Sequence, residues 1–219
     1  MISEQPVMLA LEDIRSFAVK CFTLSRGSHG WDHTERVCNL CMHIGSVEGA
    51  DLEVLRIAAY LHDVGRSHQD ETKGKVCHAQ KGAEMAAPLL AQYPCSDEQG
   101  ANIIHCIRTH RFRGQDRPET LEAKVLFDAD KLDAIGAVGI ARTFLFAGEV
   151  GAKLHNPQAA LHKTRPYTEE DTGYREYKLK LCKVKDRMLT NEGRRMAAER
   201  HAFMEAFFLR LTEEYEGNK

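Results

Sequence analysis

Apolar residues recur along most of this chain at the spacing of an α-helix. In residues 6–24, for example, Leu11, Ile14 and Ala18 stand three or four positions apart. Such spacing places the apolar side chains on one face of a helix. Sustained alternation with β-branched residues, which is typical of strands, does not occur. The pattern therefore predicts an all-α fold with few or no strands.

Capping and stop signals divide the pattern into separate helices. Asp32 and Glu35 have the spacing of a capping box, Gly49 is a typical helix stop, and the next helix is expected to run from Asp51 to Gly65. Further helices are predicted over residues 79–92, 97–110, 119–134, 174–190 and 192–216. Residues 148–173 are polar and irregular. We expect a lid, an oligomer contact or a surface connection in that segment.

Residues that bind metals occupy positions where this pattern predicts apolar side chains. His62 shares a helical stripe with Leu55 and Ala58, and His33 shares one with Val37 and Leu40. A single histidine on an apolar face is more often a hydrogen-bonded core residue than a metal ligand. Several such residues on separate segments favour the interpretation that they bind one metal ion together over the interpretation that each only packs in the core.

Two aspartates accompany these histidines. Asp63 follows His62 directly, and Asp130 lies one turn beyond Leu126 in an apolar segment. A buried carboxylate is costly unless a positive charge compensates it, and a divalent cation would neutralise the carboxylates while accepting imidazole lone pairs. We therefore predict a metal site formed by His33, His62, Asp63 and Asp130.

Three segments carry a resemblance to a known family. They are GWDHTERV at 30–37, AAYLHDVG at 58–65 and FDADKLDAIGAVGIAR at 127–142. The chain resembles the HD-domain metal-dependent phosphohydrolases, and within them the small bacterial single-domain branch. This resemblance implies an all-helical fold in which the four predicted ligands hold a divalent cation.

Length and composition agree with one ordinary globular domain. The chain has 219 residues, of which 43% are hydrophobic, enough for one sizeable core. We predict a single HD domain over 1–219, with a metal-binding core at about 25–140 and C-terminal helices at about 174–216 that pack on it. A homo-oligomer is left open.

Charge, targeting signals and cysteines exclude several classes of protein. The net charge is -2, from 30 basic and 32 acidic residues, so nothing favours nucleic acid as the main partner. The basic run from Lys178 to Arg187 has the composition of a solvated helix face. No leader or membrane-span pattern is present, and we expect a cytoplasmic protein without a membrane partner. The seven cysteines are scattered, and Cys38 and Cys41 are expected to pack as small apolar residues.

Two further histidines extend the metal-site hypothesis. His78 precedes a predicted helix, and His110 shares a stripe with Ile103 and Ile107. Some branches of the family use additional histidines to bind a second cation, with the middle aspartate bridging the two ions. The alternatives are that His78 caps its helix and that His110 contacts the substrate phosphate or only packs.

The leading functional hypothesis is cleavage of a phosphate ester by metal-activated water, with a nucleotide as the substrate that the resemblance implies. Mn, Co, Ni, Mg or Fe would suit the ligand set, as one ion or two. Two alternatives stay open: a di-iron HD-type oxygenase, and a metal-containing nucleotide-binding regulatory module without turnover. The residues assigned to catalysis are Asp63, Arg36 and Lys131, and those assigned to substrate binding are His29, Arg66, His110 and Lys180.

Overall fold

The computed structural model of the protein describes residues 9–22, 30–111 and 116–219. Helices and their connections make up these ranges, in which no strand occurs, and the predicted all-α class is confirmed. No described helix is both long and apolar enough to span a bilayer. The chain divides into two compact units, Met1–Ala129 and Asp130–Lys219, with the boundary inside a helix. The single-domain assignment over 1–219 stays a prediction.

The first unit is built around one apolar helix. In its described part the helices are α1 (Leu11–Phe22), α2 (Trp31–Glu48), α3 (Leu52–Leu61), α4 (Arg66–Glu71), α5 (His78–Leu90), α6 (Asp97–Thr109) and α7 (Leu121–Leu132). Helix α3 packs against α1, α2, α5 and α6, and α5 also packs against α4 and α6. Six of the ten α3 residues are buried, and this apolar surface organises the core.

Local signals determine where these helices start and stop. The Asp51 side chain caps α3 by accepting from the backbone N–H groups of Glu53 and Val54, and Gly49 ends α2 in the left-handed conformation, as predicted. The predicted capping box on α2 is wrong. Its N-cap residue is Gly30, and the Asp32 carboxylate instead accepts from Arg36 Nη1 at 2.7 Å. Cys38 and Cys41 are buried on α2, which confirms their packing role.

The second unit differs more from the predicted helices. The helices of this unit are α8 (Gly136–Glu149), α9 (Gly173–Leu179) and α10 (Asn191–Tyr215). Periodicity did not predict α8, which packs against both α9 and α10. Gly136 and Gly139 lower the helix propensity of that segment. The predicted helix 174–190 is interrupted, because α9 ends at Leu179 and two short 3₁₀ turns follow.

The irregular segment before α9 contains a buried polar cluster, which we call the Asp171 network. The Asp171 carboxylate accepts from Arg175 Nη1 at 2.7 Å and from the Tyr167 backbone N–H at 2.8 Å, and Arg175 Nε donates to Thr164 Oγ1 at 2.6 Å. Asp171 and Arg175 are both buried. Each donor in this network faces an acceptor, so the protein satisfies the network by itself. A role of this segment as a lid or an oligomer contact stays a prediction.

Candidate metal centre

Four buried histidines and one buried aspartate form the centre of the first unit. They are His33 on α2, His62 and Asp63 at the end of α3, His78 at the start of α5, and His110 at the end of α6. Each is no more than 4% exposed. The imidazole rings of His33 and His62, of His62 and His110, and of His78 and His110 lie 5.1–5.3 Å apart between centroids.

The histidines form two pairs whose Nε2 atoms face each other. In the first pair, His33 Nε2 lies 3.3 Å from His62 Nε2, and in the second, His78 Nε2 lies 3.1 Å from His110 Nε2. Asp63 stands between the pairs. Its Oδ2 lies 3.9 Å from both Nε2 atoms of the first pair, while its Oδ1 lies 3.3 and 3.5 Å from those of the second.

Hydrogen bonds at the other ring nitrogens determine which nitrogen carries the proton. His62 and His110 each follow the last residue of a helix, and their Nδ1 atoms lie 2.7 Å from the carbonyl oxygens of Ala59 and Ile107, three residues earlier. His78 Nδ1 lies 2.9 Å from Gln69 Oε1. These oxygens only accept, so in a neutral ring the proton resides on Nδ1 and the lone pair on Nε2.

The Nε2 atoms of His78 and His110 therefore face each other with a lone pair on each, and a cation between them would relieve this repulsion. Two lone pairs at 3.1 Å repel each other and cannot form a hydrogen bond, unless a positively charged group relieves them. Nitrogen ligands about 2.1 Å from one ion, at right angles to each other, lie about 3.0 Å apart. Both histidine pairs match that separation, and the buried carboxylate supplies the negative charge that a divalent ion requires. The residues present thus fit a divalent metal.

Asp130 belongs with the first pair. It directly follows Ala129 on α7, a helix of which most residues lie in the first unit. One ligand atom each from His33, His62 and Asp130 lie within 4.8 Å of one another, and the same is true of Asp63, His78 and His110. His33, His62 and Asp130 thus form one group and Asp63, His78 and His110 a second, while Asp63 Oδ2 lies 3.9 Å from the first histidine pair. That these residues bind metal stays a prediction.

Electrostatics keep Asp63 ionised and His78 neutral. Burial disfavours the charged Asp63 carboxylate, but the adjacent Arg66 guanidinium outweighs that cost, and the pKa of Asp63 lies well below its usual range. Burial, only partly opposed by the Asp63 charge, lowers the pKa of His78 to about 3. Both groups are therefore in the form that binds metal at neutral pH.

The cations assigned to catalysis or to substrate binding have partners in the structure. Arg66 Nη2 contacts Asp63 Oδ2 at 2.8 Å, Lys131 Nζ contacts Asp130 Oδ2 at 2.6 Å, and Arg36 pairs with Asp32. Lys180, at the end of α9, is exposed and pairs with Glu176 at 2.8 Å. His29 lies outside the described residues. The catalytic roles of Arg36 and Lys131 and the substrate-binding roles of His29, Arg66 and Lys180 stay predictions.

Sequence reasoning missed two elements of the site. Gln69 on α4 is the partner of His78 Nδ1, and the spacing of apolar residues gives no signal for it. The sequence pattern indicates only a helix stop at Gly65, yet a Cβ there would lie 2.4 Å from the backbone oxygen of His78 and 2.7 Å from the backbone nitrogen of Gly82. Only glycine permits this approach of the turn after Asp63 to α5.

Comparison with known proteins identifies the family. Residues 30–135 match the HD domain model, and that range contains every residue of both groups. The uncharacterized protein YpgQ of Bacillus subtilis is 33% identical over 210 residues, 94% of each chain. The chain belongs to the HD-domain family. HD domains bind divalent metals, which agrees with the donor set described above.

Solved structures extend this match over nearly the whole HD chain. A crystal structure of B. subtilis YpgQ in complex with ADP has a TM-score of 0.71 at 31% identity and covers 93% of this chain and 94% of its own. A predicted HD-superfamily hydrolase from an uncultured Thermotogales bacterium has a TM-score of 0.68 at 30% identity, and the match covers 94% of this chain and 92% of the hydrolase. An HD-superfamily hydrolase from Bacillus thuringiensis has a TM-score of 0.71 at 26% identity, and the match covers 94% of this chain and 96% of the hydrolase. These neighbours support a metal-dependent hydrolase.

Proposed function

We propose that this protein is a two-metal phosphohydrolase that cleaves a phosphate ester of a nucleotide. The observation that carries the proposal is the pair of facing Nε2 contacts, 3.3 and 3.1 Å long, on either side of the Asp63 carboxylate. His33, His62, Asp63 and Asp130 would hold one ion, and His78, His110 and Asp63 the other. Ions bound there lower the pKa of a water molecule and offset the negative charge that develops on the phosphoryl oxygens.

The protein's own groups have distinct tasks in this proposal. Asp63 is ionised and lies between the two groups, so it can hold metal in both. Asp63 or a neighbouring carboxylate would accept the proton of the attacking water. The Arg66 side chain is 20% exposed and stays beside Asp63, where its guanidinium can bind phosphate oxygens in a bidentate manner. Lys131 and Arg36 would supply further positive charge to the phosphate.

The nucleotide as substrate rests on the relative that binds ADP. YpgQ covers nearly the whole of this chain, and its crystal structure contains that nucleotide. A phosphate chain offers several oxygens to the cations named above, which suits a nucleoside di- or triphosphate. His29, His110 and Lys180 keep their proposed roles in substrate binding.

A substrate screen tests the proposal. The purified protein is stripped of metal, reloaded with Mn, Co, Ni, Mg or Fe in turn, and incubated with nucleoside mono-, di- and triphosphates while released phosphate and pyrophosphate are measured. We expect turnover of at least one nucleotide with at least one ion. Full metal loading without hydrolysis anywhere in the panel would contradict the proposal and favour a regulatory module.

One observation favours a second candidate function. Each of the two groups consists of two histidines and one aspartate, the ligand set typical of non-haem iron enzymes. A di-iron HD-type oxygenase would therefore fit the same donors. Oxygen uptake by the iron-loaded protein on addition of a phosphorylated substrate, without phosphate release, would support this alternative.

A further inference from the structure

The second histidine pair, His78 and His110, is held differently from the first. His62 and His110 each place Nδ1 against a backbone carbonyl of their own helix, which no substitution at a side chain removes. His78 begins α5 and has no preceding turn to supply such a carbonyl. Its Nδ1 partner is a side chain, the amide oxygen of Gln69 at 2.9 Å.

Gln69 is itself well fixed for this contact. It lies on α4, between the Asp63 turn and α5, and α4 packs against α5. Its backbone carbonyl accepts from the Gly74 N–H at 2.8 Å and from Thr72 Oγ1 at 3.2 Å, which closes the loop after α4. The side chain is half-buried, so water competes less for its amide than at the surface.

We propose that Gln69 is the positioning residue of the second metal group, which selects the His78 tautomer that presents an Nε2 lone pair to His110 and Asp63. This inference rests on the proposed two-metal function, because it concerns how one of the two ions would be held. Without the Gln69 acceptor, the His78 proton is free to reside on Nε2, where it points at the neighbouring ligands and blocks metal binding. Gln69 touches neither reacting atoms nor metal, so its effect is indirect.

The first test reads the tautomer in metal-free protein. The ring nitrogens of ¹⁵N-labelled histidines are measured by NMR at neutral pH in the wild type, Gln69→Leu and Gln69→Glu. We expect the His78 proton on Nδ1 in the wild type and in Gln69→Glu, which keeps an acceptor, and loss of this preference in Gln69→Leu. The His62 tautomer should be the same in all three. A wild-type proton on Nε2, or an unchanged tautomer in Gln69→Leu, would overturn the inference.

The second test counts ions. Calorimetric titration with Mn²⁺ should give two ions per wild-type chain, and Gln69→Leu should keep one tight ion while the other binds about 10- to 100-fold more weakly. Gln69→Glu should bind two ions. Gln92→Leu, a surface glutamine whose amide only reaches the Pro88 carbonyl, is the matched control and should resemble the wild type.

The two tests separate the possible failures. One ion per wild-type chain would refute the two-metal function, while the tautomer measurement would still judge the role of Gln69. Two ions bound with unchanged affinities in Gln69→Leu would refute the role of Gln69 and leave the two-metal function intact. Far-UV circular dichroism of each variant establishes that the helices have formed.

Discussion

Two buried polar clusters of this protein differ in how their charges are satisfied. In the Asp171 network every contact named above joins a donor to an acceptor, as in the 2.7 Å pair between Arg175 and Asp171. In the histidine cluster, the Nε2 atoms of His78 and His110 face each other at 3.1 Å with a lone pair on each. A cluster in which donors and acceptors pair serves the fold, whereas one that sets two imidazole lone pairs against each other suits a cation. Burial alone does not distinguish the two.

Removal of the Asp63 carboxylate should produce the largest change. Asp63→Ala takes away a carboxylate that lies within 3.9 Å of both histidine pairs, and we expect loss of bound metal and of turnover with the helices intact. Metal analysis and far-UV circular dichroism provide the measurement, and Asp63→Asn controls for side-chain volume. Unchanged metal content in Asp63→Ala would contradict its role as a ligand.

The Asp171 network should respond in the opposite way. Arg175→Met leaves the buried Asp171 carboxylate without its guanidinium partner, and we expect a loss of about 3–5 kcal/mol in the free energy of unfolding. Bound metal per folded chain should not change. Urea denaturation measures the stability of the variant.

A surface ion pair with the same spacing supplies the control for this prediction. Arg210 and Glu214 on α10 are also separated by four residues, but both side chains are more than half exposed. Arg210→Met should cost less than about 1 kcal/mol. Equal losses in the two variants would show that the Asp171 network is not specially stabilised by its burial.

Acid should destabilise the metal-free folded protein through His78, by less per pH unit than the loss expected for Arg175→Met. The pKa of His78 is about 3 when folded, below the ordinary value of 6.5, so the unfolded chain binds a proton that the folded chain does not. Stability therefore falls as pH decreases from about 6.5 towards 3, and His78 contributes at most about 1.4 kcal/mol per unit.

Urea denaturation between pH 7 and pH 4 checks this dependence. His78→Gln should reduce the slope of stability against pH, because the variant lacks the group that takes up the proton. His43→Gln, at an exposed histidine of α2, is the matched control for the change of histidine to glutamine. A slope in His78→Gln equal to that of the wild type would contradict the assignment.

Periodicity was enough to predict the helices whose apolar faces are strong. Helices α2, α3, α5, α6 and α7 lie close to their predicted ranges, since each buries one clear stripe. Helix α8 was not predicted because its glycines lower the helix propensity of the segment. Packing against α9 and α10 stabilises the helix in the folded protein. The capping box on α2 is wrong because the helix begins at Trp31 with Gly30 as its N-cap, so Asp32 already lies inside the first turn, where it pairs with Arg36.

The sequence predicts which residues belong to the candidate site better than it predicts how those residues are arranged in space. An inward position for His33 and His62 follows from helical spacing, but the approach of three helices to Asp63 depends on packing that no local pattern contains. The Nδ1 contacts of His62 and His110 do have a sequence signal, because a histidine just after an apolar helix can reach the unpaired carbonyls of its last turn. No such signal exists for Gln69, which acts from a different helix.

The missing side chain at Gly65 determines how closely the HD dipeptide can approach the helix that begins at His78. An alanine methyl group would overlap the main chain of α5, so even the smallest replacement must push the two segments apart. The distance between Asp63 and His78 therefore depends on the absence of a Cβ atom at residue 65. Redesign of the centre can vary the surrounding donors, but residue 65 has to remain glycine.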